Sequence, residues 1–136
     1  MTENTEYLRQ IAVDEYARVT DAVGGAPSTA ITTQTLRFGS RRNVYNMELN
    51  NENNAAETIY IYTGDAANNR RVLKRRYTLG AYGNLCLFIA ITDPVLIFTP
   101  TNNRTTPYNE NLYGAVGTLP VNVVVTYYDD YVQGNA

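Results

Sequence analysis

A chain of 136 residues with 44% hydrophobic and 18% charged side chains is long enough to bury a core without metals or disulfides, and its composition is that of a folded domain. A formal net charge of −2 excludes a global field that would draw it onto nucleic acid or an anionic membrane. Histidine is absent, which removes the commonest general base, the usual Ser and Cys triads and most zinc or copper sites.

The first residues, Met1-Thr2-Glu3-Asn4-Thr5-Glu6, are polar and acidic, with neither the basic nor the apolar region of a secretory signal; the expectation is a protein made and kept in a cytoplasm. Leu8, Ile11, Ala12, Tyr16, Val19 and Val23 recur at steps of three and four, and this spacing predicts a helix over residues 3 to 23. Gly24-Gly25 ends it, so residues 1–25 read as a helix with a small-residue hinge, and residues 26–136 as the main domain.

From Ala30 onward the texture is β. Residues 31–38 and 44–49 read as the arms of a hairpin around Gly39 to Arg42, and Tyr45, Met47 and Leu49 share one face of the second arm. An asparagine-rich loop follows at residues 50–54, then a strand at Thr58 to Thr63. The next strand, Arg70 to Leu79, carries cations on both faces, which suits a sheet edge or a contact with another chain. Two apolar runs, Leu85 to Ile91 and Val95 to Phe98, are split by Thr92-Asp93-Pro94. That break argues against a membrane span, and the lack of alternation predicts two strands buried on both faces at the centre of the core. Cys86, the single cysteine, is expected to be buried there as a small hydrophobe. Residues 100–120 show no clear periodicity and read as a functional loop, an arm, or two short strands. Val121 to Tyr128 is a strong strand before a polar tail. About seven or eight strands, spaced by Gly, Asn and Pro turns with no helix between them, predict a mainly β fold: an antiparallel β-sandwich or jelly-roll-like barrel preceded by an α-helix.

Catalytic equipment is sparse. The serines, Ser28 and Ser40, lie outside any G-x-S-x-G pattern, and no phosphate-binding glycine loop appears. Carboxylates at Glu48, Glu52, Glu57, Asp65, Asp93, Glu110, Asp129 and Asp130 show no spacing that selects an acid–base pair, and Asp129-Asp130 reads as a solvated tail. No catalytic, cofactor or metal residue is therefore assigned.

Arg70, Arg71, Lys74, Arg75 and Arg76, joined by Arg37, Arg41 and Arg42 in one reading, form the single basic cluster, and Tyr77 follows it directly. Alternation sends these charges to both faces of a strand, which favours ion pairs between subunits over nucleic acid. Ten of the eleven cations are arginine, which tolerates interfaces better than lysine, and twelve tyrosines offer rigid faces with a polar handle. Arg104, Tyr108 and Tyr113 join the candidate interface set.

The run Leu85 to Phe98, the asparagine-rich stretches 50–54 and 102–111 and the terminal Val121 to Tyr128 give the chain a texture that resembles the small structural proteins of bacteriophage virions. That resemblance implies a capsid decoration, head-completion or tail component, a homo-oligomer that docks on other virion proteins after synthesis in the host cytoplasm. A non-enzymatic assembly role, without nucleic acid or membrane, is the primary expectation. The alternative is a β-sandwich module that recognises carbohydrate or a host receptor through Tyr108, Tyr113 and the asparagine-rich loop.

Overall fold

The computed structural model describes residues 12–23, 29–34, 36, 40–65, 70–99 and 110–131, with the backbone alone at 65, 70, 71 and 131. They form nine strands: β1 (Val13–Val19), β2 (Thr29–Ala30), β3 (Ser40–Asn50), β4 (Glu57–Asp65), β5 (Arg70–Leu79), β6 (Asn84–Leu87), β7 (Leu96–Phe98), β8 (Asn111–Val116) and β9 (Val121–Tyr131). The first sheet runs β1-β9-β3-β6, with β7 also on β3, and the second runs β2-β8-β4-β5; every pairing between these strands is antiparallel. The expectation of a mainly β antiparallel sandwich holds.

Alternation along the strands supplies the core. Val121, Val123, Val125 and Tyr127 of β9 point inward with Val44, Met47 and Leu49 of β3 and Ala17 and Val19 of β1. Ile59 and Ile61 of β4, Leu112 and Val116 of β8 and Leu79 of β5 face them from the other sheet, with Ile31, Leu36, Leu96 and Phe98 filling the margins. Each such aliphatic side chain contributes roughly 1.5–3 kcal/mol relative to exposure, so this layer is the main source of stability. Gly114 of β8 lies tight against Val19 of β1 in the other sheet: a Cβ there would lie 2.9 Å from Val19 Cγ2.

Several expectations are corrected. The helix over residues 3–23 does not form where the chain is described: Val13–Val19 is strand β1, paired along its length with β9, while residues 1–11 and the 24–28 hinge lie outside the described residues. The segment satisfies a period of two as well as a period near four. Val13, Ala17 and Val19 fall on its buried side, and Tyr16 and Asp14 on the exposed one. A valine-rich β9 with a free edge decides between the two, since ladder bonds and shared burial outweigh local helical preference.

The hairpin around residues 39–42 is likewise absent. Ser40–Asn50 is one continuous strand of the first sheet, whereas β2 before it belongs to the second. Within 100–120, β8 is a strand and Gly117 to Pro120 turn into β9, while residues 100–109 lie outside the described set. β5 takes the edge position that its cations suggested.

Candidate functional site

The two apolar runs predicted to be central strands are instead at the periphery. β6 pairs with the end of β3 (Met47 to Asn50) and β7 with its beginning (Arg42 to Val44), so the segment between them, residues 88–95, leaves the sheet. Pro94 cannot donate to a ladder, and the chain closes a tight turn in which the Asp93 amide donates to the Ala90 carbonyl at 3.0 Å. The Val95 amide then returns to the Val44 carbonyl at 2.8 Å. In consequence Ile89 is 74% exposed, Ile91 56%, Phe88 50% and Ile97 46%, and Cys86, expected to be buried, is exposed.

β3 carries a bulge at the same level. Its register with β9 shifts between Val44 and Asn46, leaving Tyr45 as the extra residue opposite the gap between β6 and β7. The bulge turns Tyr45 onto the outer face, where its ring meets Phe88 edge-on at 6.2 Å and Tyr128 at 5.9 Å. Tyr45, packed on Tyr128, thus supports Phe88, the first residue of an exposed apolar crest that continues along the same segment with Ile89, Ile91 and Ile97. Beyond the crest, Glu48 accepts from Asn46 Nδ2 at 3.1 Å on β3. On the opposite side lies β5, where Arg75 Nη2 donates to the Val95 carbonyl at 3.0 Å and so ties the basic edge to the same segment.

Of the interface residues read from sequence, Lys74, Arg75 and Arg76 are exposed on β5, and Tyr77 packs partly against the core. Arg70 and Arg71 lie on the same strand by backbone. Tyr113 is on β8 of the second sheet, opposite Tyr62 in register. Arg104 and Tyr108 lie outside the described residues. Arg41 and Arg42 do not join the basic cluster: they sit on β3 in the first sheet, and each forks onto a carboxylate of β9. Asp129 and Asp130 are accordingly strand residues in ion pairs and not a solvated tail.

The Arg42 pair is the centre of a polar network. Its guanidinium, fully buried, donates through Nε and Nη2 to Asp129 at 2.8 and 2.9 Å, and through Nη1 to the Gln34 carbonyl at 2.9 Å and Asn111 Oδ1 at 3.1 Å. It also stacks 4.2 Å above the Tyr127 ring. The Tyr127 hydroxyl donates to Glu15 at 2.5 Å, and Glu15 accepts from the Thr33 amide and hydroxyl. Burial pushes the Glu15 carboxyl up, but the hydrogen bonds from Tyr127, Thr33 and the Thr33 and Gln34 backbone together hold it below its ordinary 4.5. This network joins β1, β3, β8 and β9 to the 31–34 segment.

At the other end, Glu57 plays the same part. It is buried, and it accepts from the Thr118 amide and hydroxyl and from the Leu119 amide at 2.7 Å, fastening the turn between β8 and β9. The asparagine-rich loop is also structural: Asn51 Nδ2 donates to the Ala55 and Gly80 carbonyls, and Asn53 Nδ2 reaches Pro120 O at 2.8 Å. Among the described residues, every buried polar side-chain atom has a partner, and no group of three His, Cys, Asp or Glu residues is placed to hold a metal ion.

Neither the exposed crest nor the Tyr45 bulge was anticipated. The available signal was the Ile91-Thr92-Asp93-Pro94 turn, which places Ile89 and Ile91 beside a reversal of the chain and not within a ladder. No family model and no curated protein matches this chain. A solved structure described as the crystal structure of PirA aligns with 86% of this chain and 83% of its own length, at 8% identity and a TM-score of 0.34. A likeness that low carries no argument.

Proposed function

We propose that this protein is a non-enzymatic assembly protein that acts by self-association and by docking on neighbouring subunits of a virus or phage particle. One observation carries the reading: Phe88, Ile89, Ile91 and Ile97 are large apolar side chains exposed to water within the one segment 88–97, and Phe88 rests on Tyr45, which in turn meets Tyr128. Scattered apolar side chains on a surface need no explanation, but a concentration of them in one short segment marks a contact.

The strand order supports the setting. With β6 and β7 taken as one interrupted strand, the chain crosses between the sheets at every connection except β4 to β5, as a jelly roll does. Jelly rolls build capsid domains and lectin domains alike, so the surface has to separate the two. A saccharide site combines an aromatic face with convergent polar groups; the crest is aliphatic and aromatic with few polar groups of its own, and it suits protein better than sugar.

The test is the mass of the purified protein by light scattering on a sizing column, across a dilution series and at two salt concentrations. A discrete oligomer is expected. A monomer under every condition, together with a selective hit in a glycan screen, would replace this reading with the carbohydrate-recognising module.

A further inference from the structure

We infer that the flank formed by the 88–97 segment and the β5 edge is a two-fold contact between two copies of this chain. The inference rests on the self-association proposed above and names its partner, surface and symmetry.

Turn tips ordinarily carry Gly, Asn, Asp or Ser, because they project into water. Here the residues flanking and entering the turn are Ile89 and Ile91, with Phe88 just before them, and the turn is closed by the Asp93 to Ala90 hydrogen bond. The hydrophobic side chains are therefore held outward by ordered backbone.

Ile97 from β7 and the half-exposed Val72, on the face of β5 from which Arg75 reaches Val95, add apolar surface to the flank, while Leu73 points to the other face of β5. Together these exposed fractions present apolar area on the order of 500 Å², the upper range for the largest patch on a monomer. A stable interface takes about 800 Å² from each partner, and homodimer interfaces are about 65% apolar, so the patch is close to the apolar share that one side of such a contact needs.

An apolar crest needs an apolar complement. The remaining large exposed apolar side chains among the described residues, Tyr16, Val23 and Tyr82, are scattered over other elements. Among the described residues of a second copy, the same patch is therefore the one concentrated apolar match, which is the condition for an isologous contact. Its charged margins agree. Lys74 and Arg75 lie on the β5 side, and Glu48 lies beyond β6 on the β3 side. A two-fold axis through the crest exchanges these margins, so the cations of one copy meet the carboxylate of the other. An anionic lipid surface lacks that match, because Glu48 and the exposed Asp93 would face it with like charge. Direct pairing of two β5 edges would also set Lys and Arg of one copy against those of the other, which favours a closed dimer on the crest over strand-to-strand extension.

The experiment compares the full-length protein with two variants by light scattering and sedimentation over a dilution series, and with two cysteine variants by oxidation. The wild type is expected to dimerise. Ile89→Asp with Ile91→Asp should weaken the dimer about a hundredfold or more, since each substitution acts twice across a two-fold. Its circular dichroism should match the wild type, because both side chains are already exposed. Tyr16→Asp, on β1, should leave the dimer intact. In a Cys86→Ser background, Ile91→Cys should form a symmetric disulfide dimer on oxidation, and Tyr16→Cys should not. An oligomer that survives Ile89→Asp with Ile91→Asp would overturn this contact and leave the self-association reading standing. A monomer at every concentration would overturn both, and co-sedimentation of that monomer with phosphatidylcholine–phosphatidylserine vesicles would assign the crest to lipid.

Discussion

Arg41 and Arg42 are a matched pair supplied by one strand. Each forks through Nε and Nη2 onto the two oxygens of an aspartate directly opposite on β9, with donor–acceptor distances of 2.9 and 3.1 Å for Arg41 and 2.8 and 2.9 Å for Arg42. They differ in burial: the Arg41 side chain is 44% exposed and the Arg42 side chain 0%, while their partners Asp130 and Asp129 are 29% and 30% exposed. An exposed pair contributes about 0–1 kcal/mol, because water and salt screen it and holding two long side chains costs entropy. Breaking a buried one costs roughly 3–5 kcal/mol. Arg42→Ala also removes the donor to the Gln34 carbonyl, leaves Asn111 Oδ1 with the Thr32 hydroxyl alone and removes the stack on Tyr127, whereas Asp129 regains some hydration through its exposed part. The net expectation is a loss of about 3 kcal/mol for Arg42→Ala and about 0.5 kcal/mol or less for Arg41→Ala. Urea unfolding followed by tyrosine fluorescence measures the difference. With a denaturant slope of about 1.5–2 kcal/mol/M, the Arg42→Ala midpoint should fall by roughly 1.5–2 M and the Arg41→Ala midpoint by about 0.3 M. Equal shifts would refute the claim that burial, and not the ion-pair geometry, sets the worth of these contacts.

Other outcomes follow from the same geometry. Glu15 titrates below its ordinary 4.5 in the folded chain, so its contribution is present above the unfolded value and is lost as pH falls through the folded one. Stability should therefore decline from about pH 4.5 downward, and Tyr127→Phe, which removes a donor to Glu15, should shrink that acid-sensitive part when unfolding is measured against pH. Gly114→Ala should destabilise by about 1–3 kcal/mol, because the added methyl meets Val19 Cγ2 at 2.9 Å and Ile31 Cδ1 at 3.1 Å between packed sheets; an unchanged melting temperature would show that the sheets separate freely there. Tyr82 is held at φ 56° in the turn between β5 and β6, with its side chain largely exposed. Tyr82→Gly should relieve that strain and raise stability by ~0.5 kcal/mol in the same urea assay.

Local pattern was enough to fix the class of fold. Alternation in Thr58 to Thr63 and the valine run at 121–125 can be read only as strands, and turn residues at 50–54 and 80–84 mark chain reversals that the structure contains. The cations on both faces of Arg70 to Leu79 likewise identify an edge, because a strand cannot bury charge on two sides. Two properties depended on long-range partners. Residues 13–19 satisfy helical and strand periods together, and they become a strand because β9, more than a hundred residues later, offers a complementary edge. Leu85 to Phe98 is apolar enough for a core, yet β3 has room for only four residues of β6 and three of β7 along that side, and the residues between are left in water. The arginine–aspartate forks have the same origin, since 87 and 89 residues separate the partners and only the register of β3 on β9 brings them together. Composition sets which side chains are available for a contact, while the packing of nine strands decides which of them remain exposed to make one.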